Sequence, residues 1–157
     1  MKNLLIAFVA CCLQVAAVAQ TKIEKDLQGT WKMTEMNMGG IFVNATTKEV
    51  KLSKEVESKI TPEMRKSFNA NKQLVLDKIV KSRVSFAGKK VNYSIDGVEK
   101  AGTYIVKSQG DAYLLTVTGT DGSQGTMQLA IKDGKLRIVN NDDKGKAEMV
   151  FTKIAAK

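Results

Sequence analysis

The sequence predicts an all-β chain whose eight antiparallel strands close into an up-and-down barrel, with a helical insert between strands 1 and 2. Three observations carry this prediction. Eight short segments alternate apolar and polar residues, as strands with one buried face do. From residue 83 onward they are separated by Gly- and Asp-containing turn pairs, which are short enough to favour neighbour-to-neighbour pairing over the Greek-key crossings of a sandwich. Pro62 is the only proline, so nothing later in the chain interrupts a sheet.

Taken in chain order, residues 1–19 have the three parts of a secretory signal. Lys2 supplies the positive start, Leu4 to Ala19 is apolar apart from Gln14, and Ala17-Val18-Ala19 offers small residues for cleavage before Gln20. A membrane-spanning helix is the rival, but the apolar run is at the short edge for a bilayer and no basic cluster follows it. Phe8-Val9-Ala10-Cys11 is the alternative within the segment: a lipobox that would make Cys11 a lipid anchor. The expected localisation is therefore exported, periplasmic or secreted, with a lipid-anchored envelope protein as the alternative. Residues 20–157 form one domain, since no linker or composition shift divides them.

Gln20 to Leu27 reads as a polar lead-in with a helical turn, and Gly29-Thr30-Trp31 opens the first strand. Its alternation slips between Met33 and Met36, the mark of a bulge or sharp bend. Gly39-Gly40 either ends this strand or kinks it, in which case Ile41-Phe42-Val43 continues it. The insert over 53–80 follows, with Ser53 capping a short helix. Thr61-Pro62-Glu63 starts a longer one: a capping hydroxyl, proline in the first turn and an early acid. Met64, Phe68, Val75, Leu76 and Ile79 give that helix its apolar stripe. Seven further strands are then expected around Val84–Phe86, Val91–Ile95, Tyr104–Val106, Tyr113–Val117, Met127–Ile131, Leu136–Ile138 and Met149–Phe151.

Composition excludes several chemistries. The chain has no histidine, and its two cysteines lie inside the expected signal. A Ser-His-Asp triad, a thiolate nucleophile, a disulfide scaffold and an N/S zinc site are all ruled out for the cleaved chain. The formal net charge is +9, but it is almost all lysine, spread along the strands without a basic block or aromatic interleaving. That is a solvated surface rather than a nucleic-acid footprint, and no nucleic-acid partner is expected. Asp121-Gly122 and Asp142-Asp143 lack the alternate acidic ligands of a calcium loop and read as hairpin turns. Glu35, Glu99 and Glu148 fall on separate strands, giving no carboxylate pair for hydrolysis. No cofactor, metal or enzymatic activity is expected.

At Gly29-Thr30-Trp31 the chain resembles the Gly-x-Trp signature of lipocalins and related calycins. Gly102-Thr103-Tyr104, the closing Phe151-Thr152-Lys153-Ile154 and the helical insert resemble the small exported lipocalin-like domains of Bacteroidetes-type bacteria, over roughly residues 26 to 155. The resemblance implies a calycin barrel with Trp31 packed across its closed end. It also implies a late-strand cation, Lys153 or Arg137, lying on the indole. The chain departs from secreted animal lipocalins in lacking a cysteine bridge and in its insert, whose position resembles the helical lid of fatty-acid-binding proteins.

Inward phase nominates Tyr93, Tyr104, Tyr113, Leu115, Met127, Leu129, Met149 and Phe151 as the barrel interior. The tyrosines could form an aromatic wall facing a ligand or simply pack with satisfied hydroxyls. The methionines could line an adaptable pocket or be plain core. Arg83 and Arg137 neighbour inward positions and so face solvent, which argues against a buried arginine awaiting a carboxylate. The function expected is an exported, non-enzymatic barrel holding a small apolar or amphipathic molecule beneath the insert as lid. The alternative is an envelope interaction protein whose barrel is filled by its own side chains.

Overall fold

The computed structural model describes residues 22–95, 97–110, 112–142 and 145–155. The expected signal peptide, its cleavage site and the Cys11 anchor lie outside them. Residues 22–27 form a short helix, α1. There follow β1 (Gly29–Met38), β2 (Ile41–Asn44), β3 (Glu49–Leu52), α2 (Lys54–Lys59) and α3 (Pro62–Lys81). The remaining strands are β4 (Arg83–Ala87), β5 (Lys90–Ile95), β6 (Val98–Gln109), β7 (Ala112–Gly119), β8 (Gln124–Lys132), β9 (Lys135–Asp142) and β10 (Gly145–Lys153). From β4 to β10 each strand pairs antiparallel with the next, and β10 returns to β1. The ring of β1 and β4–β10 is a closed, eight-stranded up-and-down barrel, which leaves those strands no free edge.

One strand makes this closure possible. Along one side β1 pairs with β10, from Trp31 opposite Lys153 to Met38 opposite Ala147. Along the other its first half pairs with β4, Lys32 opposite Arg83, and its second half with β2, Met36 opposite Val43. The change of partner coincides with the phase slip in the sequence: the ladder to β10 jumps between Met33 and Glu35. Thr34 is the extra residue, and its hydroxyl donates to the Val150 carbonyl at 3.2 Å. The bulge lets Trp31 and Met33 before it and Met36 after it all turn toward the core.

Of the two readings of Gly39-Gly40, the structure shows the end: Ile41–Val43 does not continue β1. Gly39 and Gly40 both take positive φ (58° and 78°), the geometry of a tight two-residue hairpin, and the chain folds back as β2. Alternation alone does not distinguish a kink from a reversal; the glycine pair does.

The helices begin where capping chemistry predicts. Ser53 accepts from the Val56 N–H at 3.2 Å and Thr61 from the Met64 N–H at 3.3 Å, with Pro62 in the first turn of α3. Leu76 and Ile79 are buried, and Phe68 and Val75 pack on the core; Met64, read as part of the same stripe, is 57% exposed. The end of α3 is tied to the barrel by Ser82, the one buried polar residue among those described. Its hydroxyl donates to the Lys78 carbonyl (2.9 Å), and its own carbonyl accepts from Met33 N–H at the bulge (3.1 Å).

Candidate functional site

The barrel has two different ends. At one, α1 lies across the opening with Ile23 and Leu27 buried beneath it. Trp31 is almost fully buried there, and its indole N–H donates to the Leu27 carbonyl at 2.7 Å. Lys153 lies with its Nζ 5.1 Å from the indole centroid and donates to the Asp26 carbonyl at 3.0 Å, so it joins the ring to the helix end. Of the two cations nominated for this position, Lys153 occupies it. Arg137 points outward, 58% exposed, and pairs with Glu148 on the neighbouring strand. Its place in the alternation, between inward Leu136 and Ile138, required that.

Tyr104 belongs to this closed end as well. Its ring meets Phe86 edge-on at 5.0 Å, and its hydroxyl donates to the Gly88 carbonyl (2.9 Å) while accepting from the Gln28 amide (2.9 Å). Gln28 also accepts from the Gly88 N–H at 2.8 Å, so one glutamine holds the lead-in helix to the β4–β5 turn. Burial raises the Tyr104 pKa above the ordinary tyrosine value, opposed by the hydrogen bond from Gln28. The folded chain therefore keeps this proton at a pH where the unfolded chain has released it. The contribution to stability is whole below about pH 10 and is lost as pH rises through the raised value. Tyr104→Phe should cost about 0.5–1.5 kcal/mol near neutrality through loss of the hydroxyl that links the Gln28 amide to the Gly88 carbonyl, which Gln28 still reaches at 3.4 Å. Urea melts from about pH 9 to 11 should show the variant losing less stability with rising pH than the parent; parallel curves would contradict this placement.

The other end is open and holds a cavity of about 300 Å³. One wall is Val84 and Phe86 of β4 with Val91, Tyr93 and Ile95 of β5; the others are Leu115, Val117 and Met127 of β7 and β8 and Ile138, Met149 and Phe151 of β9 and β10. The rim is the β7–β8 connection: Gly119, Ser123, Gln124 and Gly125. No Asp, Glu, Lys or Arg lines the cavity among the described residues, and its polar side chains are Tyr93, Ser123 and Gln124. At the rim Asp121 accepts from the Ser123 N–H (3.0 Å) and hydroxyl (2.5 Å). These two hydrogen bonds hold its carboxyl below the usual aspartate range.

Tyr93, Leu115, Met127, Met149 and Phe151 of the nominated interior line this cavity. Tyr104, Tyr113 and Leu129 do not. All three face inward, but they lie in the closed half: Tyr113 is the second residue of β7 after the closed-end turn, and Leu129 is its ladder partner. Period-2 alternation gives the face of a residue and not its depth along the barrel axis. The nominated interior omits Val84, Phe86, Val91, Ile95, Val117 and Ile138, which also line the cavity. The same alternation marks those aliphatic and aromatic positions as inward, and counting from the turns supplies their level. The lid expectation also changes: no residue of α2 or α3 lines the cavity.

No family model matches the sequence, and no curated protein matches it. The fold is similar to the crystal structure of a DUF4847 family protein from Bacteroides vulgatus ATCC 8482, with 14% sequence identity, a TM-score of 0.51, and coverage of 86% of this chain and 99% of that one. At that identity the likeness is one of architecture: this chain and the Bacteroides protein share a barrel fold.

Proposed function

We propose that this chain is an exported, lipocalin-like carrier that binds one small apolar or amphipathic molecule inside its barrel and performs no chemistry on it. The observation that carries this reading is the cavity itself. A barrel of eight strands is narrow enough to be filled by its own side chains. This one leaves about 300 Å³ open between aliphatic, aromatic and thioether groups, at the lower end of the range of ligand pockets. The lining is apolar in depth and polar at the rim, the distribution that orients an amphipathic guest. Met127 and Met149 add a surface that adapts to varied shapes. Lys153 on Trp31 at the sealed end supports the calycin reading; the helical insert lies between β3 and β4, after the β2–β3 hairpin.

Titration with N-phenyl-1-naphthylamine, an uncharged dye that fluoresces in apolar surroundings, tests the proposal. Saturable enhancement at one dye per chain is expected, together with a co-purifying apolar molecule by native mass spectrometry of protein taken from its host. A flat titration and a clean ligand-free mass would overturn it and leave the envelope interaction reading.

A further inference from the structure

Of the chain's twelve glycines, Gly125 alone has neither a positive φ nor any atom that an added Cβ would meet. Nine others have positive φ. A Cβ on Gly102 would lie 2.3 Å from the Thr118 carbonyl oxygen, and one on Gly119 would press on the Asp121 and Ser123 side chains, 2.7 Å from Asp121 Oδ1. Gly125 has neither constraint. Its φ is ordinary, and a Cβ there would meet no atom within 4 Å. It pairs with Val117 inside the β7–β8 ladder, in phase with inward Met127 and Leu129, so the missing side chain would project into the mouth of the cavity. Glycine inside a strand costs backbone entropy and packs nothing, and at this position no strain relief offsets the cost.

The surroundings define what such a gap admits. The insert contributes nothing to the lining, whereas Ser123 and Gln124 stand beside Gly125 at the rim. The Ser123 side chain is bonded to the Asp121 carboxylate, so the rim carries negative charge next to neutral hydrogen-bonding groups. A carboxylate or phosphate headgroup there would face Asp121, whose charge Lys100 offsets in part from outside the lining, and no cation lines the cavity itself.

We infer that Gly125 is a clearance position for the ligand: an uncharged single-chain amphiphile lies with its chain in the cavity and leaves the barrel over Gly125, its polar end on Ser123 and Gln124. This rests on the carrier reading above and adds the route and the ligand class. A chain longer than the cavity needs the gap; a compact guest held wholly inside does not.

The test displaces N-phenyl-1-naphthylamine with 1-monopalmitoylglycerol and with palmitate, on the parent protein and on Gly125→Leu and Gly125→Ala. The monoglyceride should displace the dye from the parent at least tenfold more effectively than palmitate. Gly125→Leu should melt at or above the parent temperature and lose at least tenfold more in monoglyceride affinity than in dye affinity, with Gly125→Ala between it and the parent. Monoglyceride binding unchanged in a folded Gly125→Leu overturns the route, and stronger displacement by palmitate overturns the ligand class. Should Gly125→Leu fail to fold, an unchanged monoglyceride affinity in Gly125→Ala overturns the route equally. A parent protein that binds no dye defeats the carrier reading, and this inference with it.

Discussion

Replacing Trp31 with alanine is expected to remove roughly 3–5 kcal/mol of stability, the cost of deleting a buried large aromatic side chain. Three losses add at this site. The indole fills the closed end and is only 2% exposed, so its removal leaves a void between α1 and the barrel floor. The Leu27 carbonyl loses the N–H that reaches it at 2.7 Å in a buried setting. Lys153 loses the ring beneath its ammonium, an interaction of about 0.5–2 kcal/mol. Against a total folding free energy of about 5–15 kcal/mol, that places the variant close to the unfolding threshold. Trp31→Phe separates the contributions: it keeps a ring under Lys153 but not the donor to Leu27, and should cost roughly 1–3 kcal/mol. Trp31 is the only tryptophan, so the measurement is urea unfolding followed by far-ultraviolet circular dichroism. An alanine variant within about 1 kcal/mol of the parent would contradict a sealed end built on this residue.

Much of this end was legible in the amino-acid sequence, for physical reasons that do not extend to the cavity. The eight barrel strands follow from alternation because each has one face on a core, and the bulge at Thr34 follows from the slip that it imposes on that alternation. Capping at Ser53 and Thr61 is local chemistry and reads directly. Trp31 and Lys153 were named, but from a resemblance; alternation alone does not say that residues 122 apart become ladder partners, as Trp31 and Lys153 are. Depth is the quantity that alternation lacks. Tyr93 and Tyr104 have the same inward phase, yet one lines the cavity and the other seals the opposite end against Gln28. The β1–β2 hairpin escapes alternation for a related reason: apolar content in Ile41–Val43 shows that the segment packs, while its direction depends on two φ angles at Gly39 and Gly40. Gly125 looks in sequence like any turn-proximal glycine. Its significance appears only when the space beside it is known to be empty.

Substituting Met127 with tryptophan should weaken dye binding by at least tenfold, about 1.4 kcal/mol or more, while the protein remains folded. Met127 lines the cavity and is half-buried, opposite fully buried Leu115 on β7. A tryptophan at that position has open volume to enter, so it fills space a guest would otherwise occupy instead of displacing packed neighbours. Cavity filling of this kind commonly raises stability by about 0.5–2 kcal/mol where no strain results, and overpacking of a full core costs about 1–3 kcal/mol. The sign of the stability change therefore reports whether the cavity is empty space. Retained or increased stability with lost binding is the expected pair, because the same volume cannot hold both the indole and a ligand. Undiminished dye binding in a stable variant would place the dye on the outer surface of the sheet and remove the support that binding gives to an internal site. Lost stability together with lost binding would show a core already packed to capacity, which is the condition for the interaction reading. Thermal unfolding and equilibrium titration on the same preparation decide among these outcomes.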